Sequence, residues 1–501
     1  MLRIEHVQDL ETLRQIATLL DRENRKLHDR LRHLTEEIAR LKGQDASALQ
    51  REMDLLKELL AQRERALFSE SSERRSRPAT APAGKAPRRG HGPKAQPELP
   101  IVETLHELPA TDRRCGACGG ELSEMQGQAE ESEEITLVER QFVLVKHRRK
   151  KYRCSCNGFI ATAPAPPKLQ PGSRYSPEFA VEVAAGKYLD HLPLERQVRM
   201  MRREGLDVDS QTLWDQIEAL ARVLRPTYHA LQERVLASLV VGADETHWRL
   251  MDNKGSKRWW AWSVSGEDAL FYKILDSRSQ DAASQVLDGY GGIVMADGYG
   301  AYDALSRDGP GFRLAHCWAH VRRKFIEVES HAPEVCREIL DLIGELYDVE
   351  RLAPRLDPGA SPEQAAEVLH RRAELRSQRS RLLIRKIQEW ALSQRVLPES
   401  GLSKAIGYML GMWKGLTLFL EDPRIPLDNN QTERGLRGIV VGRKNHYGSR
   451  SRRGTQVAAL FYSLLESAKL CGVEPKRYLL AATRAALATP GAVTLPHTLL
   501  S

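Results

Sequence analysis

From residue 239 the apolar residues recur at the spacing of β-strands, and the strands come in a restrictive order. "LVVGADETHWRL", "RWWAWSVS" and "ALFYKIL" follow one another with only Gly/Asp turns between them, so they pair antiparallel. "SRSQDAASQVLDGY" then has a helical pattern, "GIVMADGYGAY" is a fourth strand, and "FRLAHCWAH" is a fifth that runs into a basic helix. A meander of three strands followed by strands with helical crossovers predicts an α/β domain with a mixed sheet.

That order is the order of a ribonuclease-H-like sheet, in which the first and fourth strands are neighbours. Asp244 ends the first apolar run and Asp297 the fourth, 297 − 244 = 53 residues later. Two carboxylates that close repel unless a cation lies between them, and hard oxygen ligands suit Mg²⁺ or Mn²⁺. A third carboxylate completes a two-metal site, whose ions about 3.5–4 Å apart clamp the attacking and leaving oxygens of a phosphodiester. Glu433, early in a helix announced by "DNNQ", is the candidate, 433 − 297 = 136 residues after Asp297. So long a gap requires an inserted domain, and residues from about 333 to 420 are helical in pattern throughout. Each acid has a plainer reading. Asp244 is also a possible strand-end turn residue, with Glu245 as the ligand instead; adjacent strand residues face opposite ways, so only one of the two serves. Asp297 lies in "ADGYG", by itself an ordinary turn, and Asp428 competes with Glu433 but suits helix capping, as does Asn429.

Residues 434–453 contain no acid and seven cations: Arg434, Arg437, Arg443, Lys444, Arg450, Arg452 and Arg453. The whole chain carries 75 Lys+Arg against 67 Asp+Glu, a net +8. The excess is moderate but clustered, which points to a polyanion such as DNA. The N-terminus "MLRIEHVQDL" has charges where a signal peptide needs an apolar core. The most membrane-like stretch, "IGYMLGMWKGLTLFL", is 15 residues long and contains Lys414, which predicts a buried helix, no membrane span and a cytoplasmic protein.

Upstream, leucines recur every seven residues at 13, 20, 27, 34 and 41, with Leu10, Ala17, Asn24, Leu31 and Ile38 as the accompanying seam. One polar Asn in an apolar heptad seam favours a parallel dimer in fixed register, so residues 1–73 are expected to form a coiled-coil dimerisation region. Residues 74–98 form a basic linker rich in Pro, Ala and Gly, with too little apolar content to bury a core. In residues 99–168, "CGACGG" (Cys115, Cys118) and "CSC" (Cys154, Cys156) bracket strand-like sequence ending in "VKHRRKKYRC". Four thiolates in two close pairs suit a structural Zn²⁺, and seven cysteines used this way suit a reducing compartment. Residues 169–234 contain a helix, a Gly-containing turn and a second helix from near Ser210, the pattern of a DNA-reading helix-turn-helix and of ordinary helical hairpins alike. His316, Cys317 and His320 are expected to pack or to touch phosphate, and Trp259, Trp260 and Trp262 to fill a core.

"GADETHW", "DGYGAY", "HCWAHVRRKF" and "LDNNQTERGLRGIVVGRKN" resemble the signature blocks of the insertion-sequence 66 family of bacterial transposases, of the DDE class. The likeness extends over nearly the whole chain. It implies a catalytic triad of Asp244, Asp297 and Glu433 in residues 235–462, with 463–501 as a short C-terminal segment. It also implies two Mg²⁺ or Mn²⁺ ions per site, cleavage at terminal inverted repeats and joining to target DNA, by an oligomer at the nucleoid, with accessory proteins of the same element as further partners. Two other readings stay open on the residues alone: a zinc-containing dimeric regulator with an inert core, and a nuclease on the same fold.

Overall fold

In the computed structural model, residues 141–153, 160–252, 255–308, 311–354 and 361–499 are described, with a few positions before them. The heptad seam, the linker, and Cys115, Cys154 and Cys156 lie outside the described residues. Of the coiled-coil region only Asp29, His33, Glu36 and Arg40 are described; all four are helical and exposed. By contact the chain divides into residues 72–143 and a larger unit of residues 1–71 and 144–501.

Strands β1 (Lys151–Arg153) and β2 (Ile160–Thr162) pair antiparallel, Arg153 opposite Ile160. Residues 141–150, expected to be strand, are irregular and largely exposed. Three helices follow: α1 (Pro177–Tyr188), α2 (Leu194–Arg203) and α3 (Ser210–Leu236). The turn after α2 passes through Gly205 at φ +84°, and Asp209 caps α3 by accepting from Thr212 N at 2.6 Å. α3 buries Leu213, Ile217, Leu220, Leu224, Leu231 and Val235 at helical spacing.

The sheet comprises β3 (Val240–Asp252), β4 (Gly255–Ser265) and β5 (Leu270–Leu275), then, after α4 (Gln280–Val286), β6 (Ile293–Ala296), and, after α5 (Gly300–Asp308), β7 (Arg313–His316). Its order is β5-β4-β3-β6-β7. β3, β4 and β5 pair antiparallel, whereas β3–β6 and β6–β7 are parallel. The first and fourth strands of the sheet are therefore hydrogen-bonded neighbours, Val240 opposite Ile293.

α6 (Trp318–Val328) leaves the end of β7 and enters a helical insertion of α7 (Pro333–Leu352), α8 (Pro362–Leu375), α9 (Arg381–Ser393), α10 (Gly401–Gly411) and α11 (Trp413–Leu416). Phe325 of α6 packs with Ile339, Ile343, Ile387 and Met409 in one apolar cluster. A π-helical turn at Arg376–Ser380 joins α8 to α9. There the buried Arg376 guanidinium donates to both Glu350 carboxylate oxygens (2.7 and 2.8 Å) and to Phe419 O at 2.8 Å, satisfying a charge that would otherwise be costly to bury.

The chain then returns to the sheet as α12 (Asn430–His446), α13 (Arg452–Leu470) and α14 (Pro475–Ala488). α13 covers edge strand β5: Leu270 N and Tyr272 N donate to Ser467 Oγ and Ser463 Oγ at 3.0 and 2.8 Å. The edge is thus closed to pairing with another chain. α1 and α3 pack against α13 and α14, so the helices before the sheet and those after it share one core. Among the described residues no helix is long and apolar enough to cross a membrane.

Candidate active site

Gly242 determines how the two halves of the site meet. A Cβ at this point of β3 would lie 2.1 Å from Thr432 Oγ1 and 2.4 Å from Asn429 Oδ1. Without it, the start of α12 lies directly on the strand. Asn429 Nδ2 donates to Ala243 O at 2.9 Å, Thr432 Oγ1 donates to Asn429 Oδ1 at 2.6 Å, and Thr432 Oγ1 also bonds Ser265 Oγ at 2.6 Å. All of these atoms are buried, so each bond is strengthened by its surroundings. The expectation that Asn429 or Asp428 caps α12 is met only in position. Asn429 occupies the N-cap but turns its side chain to β3, while Asp428 accepts from Asn430 N at 3.1 Å and from Asn430 Nδ2 at 2.6 Å.

This docking brings Glu433, in the first turn of α12, toward Asp244, which lies within β3 and not at the strand's end as expected, and toward Asp297, which directly follows β6. Burial pushes the Asp244 carboxyl up to about 8, and the neighbouring charges of Glu245, Asp297 and Glu433 push the same way. Asp244 and Asp297 each accept from a nearby backbone amide, Glu245 N at 2.7 Å and Tyr299 N at 3.0 Å. Glu433 faces His320 Nδ1 at 3.7 Å and the Arg323 guanidinium at 4.0 Å. Glu433 Oε1 and His320 Nδ1 are both buried with no hydrogen-bond partner.

Glu245 is committed elsewhere. Its Oε1 accepts from Arg278 Nε at 2.7 Å and its Oε2 from Tyr302 Oη at 2.9 Å. The Arg278 guanidinium lies over the Tyr299 ring, 3.7 Å from its centroid, and 4.9 Å from that of Trp260. Arg278 and Tyr302 carry no motif in sequence; the signal that finds them is the buried charge of Glu245, which requires a partner.

Asp244, Asp297 and Glu433 fit a hard divalent cation. They offer half-buried oxygen donors, burial and then the charges of Glu245, Asp297 and Glu433 raise Asp244, and Glu433 Oε1 has no hydrogen-bond partner. Among the described residues, the three His, Cys, Asp or Glu side chains whose ligand atoms lie within 4.8 Å of one another are Cys317, His320 and Glu433. Burial pushes the Cys317 thiol up to about 12, and its sulfur accepts from Asn429 N at 3.3 Å. Cys317 ties α6 to the start of α12.

The seven cations of residues 434–453 divide. Arg434, Arg437, Lys444 and Arg450 are exposed. Arg443 turns inward and donates to Thr246 Oγ1 at 3.0 Å and to His247 O. Arg453 pairs with Glu218 of α3, and Arg452 stands 5.7 Å over Trp259. Trp259 and Trp262 are buried, as expected of core residues, and Trp260 is half-buried.

Residues 172–457, more than half of the chain, match the family model described as Transposase IS66 family. The chain belongs to the IS66 transposase family. Membership makes it a DNA-binding protein of transposition, and its match to the zinc-finger binding domain of transposase IS66 over residues 112–157 adds a zinc-binding module. The transposase is 30% identical over 410 residues to the uncharacterized protein y4jD of Sinorhizobium fredii (strain NBRC 101917 / NGR234), covering 78% of this chain and 77% of that one. It is 27% identical over 394 residues to y4hP of the same strain, covering 73% and 69%, and 28% identical over 413 residues to y4qI, covering 78% and 73%. The zinc-finger match contains Cys115, Cys118, Cys154 and Cys156, of which only Cys118, exposed, is among the described residues.

Proposed function

We propose that this IS66 transposase is a DDE enzyme with a ribonuclease-H-like core, in which Asp244, Asp297 and Glu433 hold two Mg²⁺ or Mn²⁺ ions. The observation that supports the reading is the placement of Asp244 on β3, of Asp297 directly after the neighbouring β6, and of Glu433 in the first turn of α12, which docks on β3 at Gly242, although the three lie 53 and 136 residues apart in sequence. When bound, the ions supply Lewis-acid activation of the attacking oxygen and neutralise charge on the phosphorane-like transition state. The chain's own residues bind and orient. Arg434, Arg437, Lys444 and Arg450 attract the DNA backbone, and their side chains are free to do so because they point to solvent. The Gly242–Asn429–Thr432 contact sets the first turn of α12, which carries Glu433, on β3, and Arg278 engages the Glu245 carboxylate so that it is not free to take a cation.

In the first step a water oxygen attacks phosphorus at the element's end and the bridging 3′ oxygen leaves as a hydroxyl. In the second that 3′ hydroxyl attacks a target phosphodiester, so one phosphodiester forms as another breaks. The terminal inverted repeats and target DNA are thus both substrates, and the zinc module and the helical hairpin of α2 and α3 are additional DNA-binding parts.

Glu433→Gln tests this. The substitution keeps size but removes the charge that anchors a cation, and it leaves the exposed cations in place. Mg²⁺-dependent cleavage of a duplex from the DNA flanking the coding region is expected to fall at least about 100-fold, the order lost with a key electrostatic group. Gel-shift binding of the same duplex is expected to persist. A variant that cleaves normally removes Glu433 from the triad, and a parent protein that binds but never cleaves favours the regulator reading.

A further inference from the structure

Tyr447 stands where the chain has every local reason not to place it. It ends α12 in the left-handed conformation, φ 62° and ψ 8°, with its amide donating to Arg443 O at 2.9 Å. That position at a helix end is normally glycine, because a Cβ is strained there. A large side chain at a strained position ordinarily earns its place by packing, yet Tyr447 is 63% exposed, and no described residue stacks on its ring or bonds its hydroxyl.

The turn that holds it is rigid. Gly448 follows at φ 107°, where a Cβ would lie 2.2 Å from Arg249 O. Ser449 N donates to Arg249 O at 3.0 Å, Met251 N to Ser449 O at 2.7 Å, and the buried Trp248 Nε1 to Ser449 Oγ at 3.2 Å. The ring is therefore presented by backbone clamped to β3, not by a loose loop. Its neighbours are cationic: Lys444 before it and Arg450 after it, both exposed. On α12, Glu433, Arg437 and Lys444 fall within about 40° of one another around the axis, so one stripe leads from the acid to the aromatic. Such a stripe is complementary to a phosphate backbone lying along the helix.

We infer that Tyr447 is a stacking contact for a nucleobase of the transposon end, displaced from the reaction centre by the length of α12. The inference rests on Glu433 marking that centre. The two residues are 447 − 433 = 14 positions apart, about 21 Å along a helix, which is about six nucleotides of a strand at about 3.4 Å each. A base opened from the duplex at that distance would meet the ring between two phosphate-binding side chains, and base–aromatic stacking tolerates any base.

The test uses full-length protein and a duplex of the DNA flanking the coding region, carrying 2-aminopurine at one position at a time. Wild-type cleavage maps the scissile phosphate on the same duplex. The parent and Tyr447→Phe are expected to change 2-aminopurine fluorescence most at one position about six nucleotides from the cut. Tyr447→Gly relaxes the backbone, so its Tm is expected to rise while that signal disappears and binding weakens by about 5- to 150-fold. A Gly variant with the parent's affinity and fluorescence profile overturns the proposal. So does a Phe variant as weak as the Gly variant, which would assign the contact to the hydroxyl and a phosphate. Glu433→Gln is run alongside: cleavage by that protein overturns the placement of the reaction centre, whereas the Tyr447 contact is judged by fluorescence and affinity, neither of which requires Glu433.

Discussion

Asp244 carries the electrostatic cost of assembling three acids in one buried place. Burial first, and then the charges of Glu245, Asp297 and Glu433, raise its carboxyl to about 8 from an ordinary 3.8. The folded chain thus holds a proton that the unfolded chain has already released between about pH 4 and 8, so stability falls as pH rises through that window. Asp244→Asn removes the titrating group but keeps the shape. Without added divalent cation the variant is expected to be more stable than the parent at pH 8, by roughly 0.5–2 kcal/mol, with the difference vanishing near pH 4. Calorimetric scans at the two pH values check it; equal Tm at pH 8 would mean that Asp244 lies outside the acid cluster. Strand order in the sequence predicts that the strands bearing Asp244 and Asp297 are neighbours, and β3 and β6 do pair. The choice of Asp244 over Glu245 was not settled by strand alternation alone, because the salt bridge that occupies Glu245 comes from Arg278, 33 residues downstream.

Among the elements, the contact of α12 with β3 positions the acid that arrives last in the chain. The atoms around Gly242 leave no room for a methyl group, and they belong to the buried Thr432 and Asn429 side chains, which are held by hydrogen bonds. Gly242→Ala is therefore expected to push the first turn of α12 off the strand, at a cost of about 1–3 kcal/mol. Because Glu433 is in that turn, cleavage should fall far more than DNA binding; circular dichroism paired with the cleavage assay separates this from unfolding. A variant that cleaves at the parent's rate would show that α12 needs no close approach to β3. The order and direction of the strands and the helical insertion could be read from periodicity, which reports burial along one element. Periodicity does not report which element supplies an acceptor. The tract 434–453 accordingly reads as uniformly basic, although Arg443 bonds β3 and Arg453 pairs with α3. The same limit applies to residues 141–150, whose strand-like sequence is irregular and largely exposed.

For the whole molecule, a transposon has two ends, and joining both to one target requires that two sites act together. The heptads of residues 10–41 offer a means of pairing chains, and the four described residues there, Asp29, His33, Glu36 and Arg40, are exposed at positions off the seam. α13 meanwhile closes the β5 edge, so the five-stranded sheet offers no pairing edge on that side. Dimerisation is therefore expected to depend on the N-terminal heptads. Leu20→Lys with Leu27→Lys places like charges in the seam of both chains, where burial makes each costly and their mutual repulsion adds to it. The double variant should be monomeric by light scattering at concentrations where the parent is at least a dimer. Its core is built by residues from 177 onward and shares no seam position, so the variant should keep the parent's Tm for that unit and bind a single transposon end. It should nonetheless fail to hold two ends in one complex, and strand transfer should be lost while cleavage at one end persists in part. A double variant with the parent's mass in solution would move the interface away from residues 10–41, and one that is monomeric yet joins both ends normally would show that DNA, not the coil, brings the two sites together.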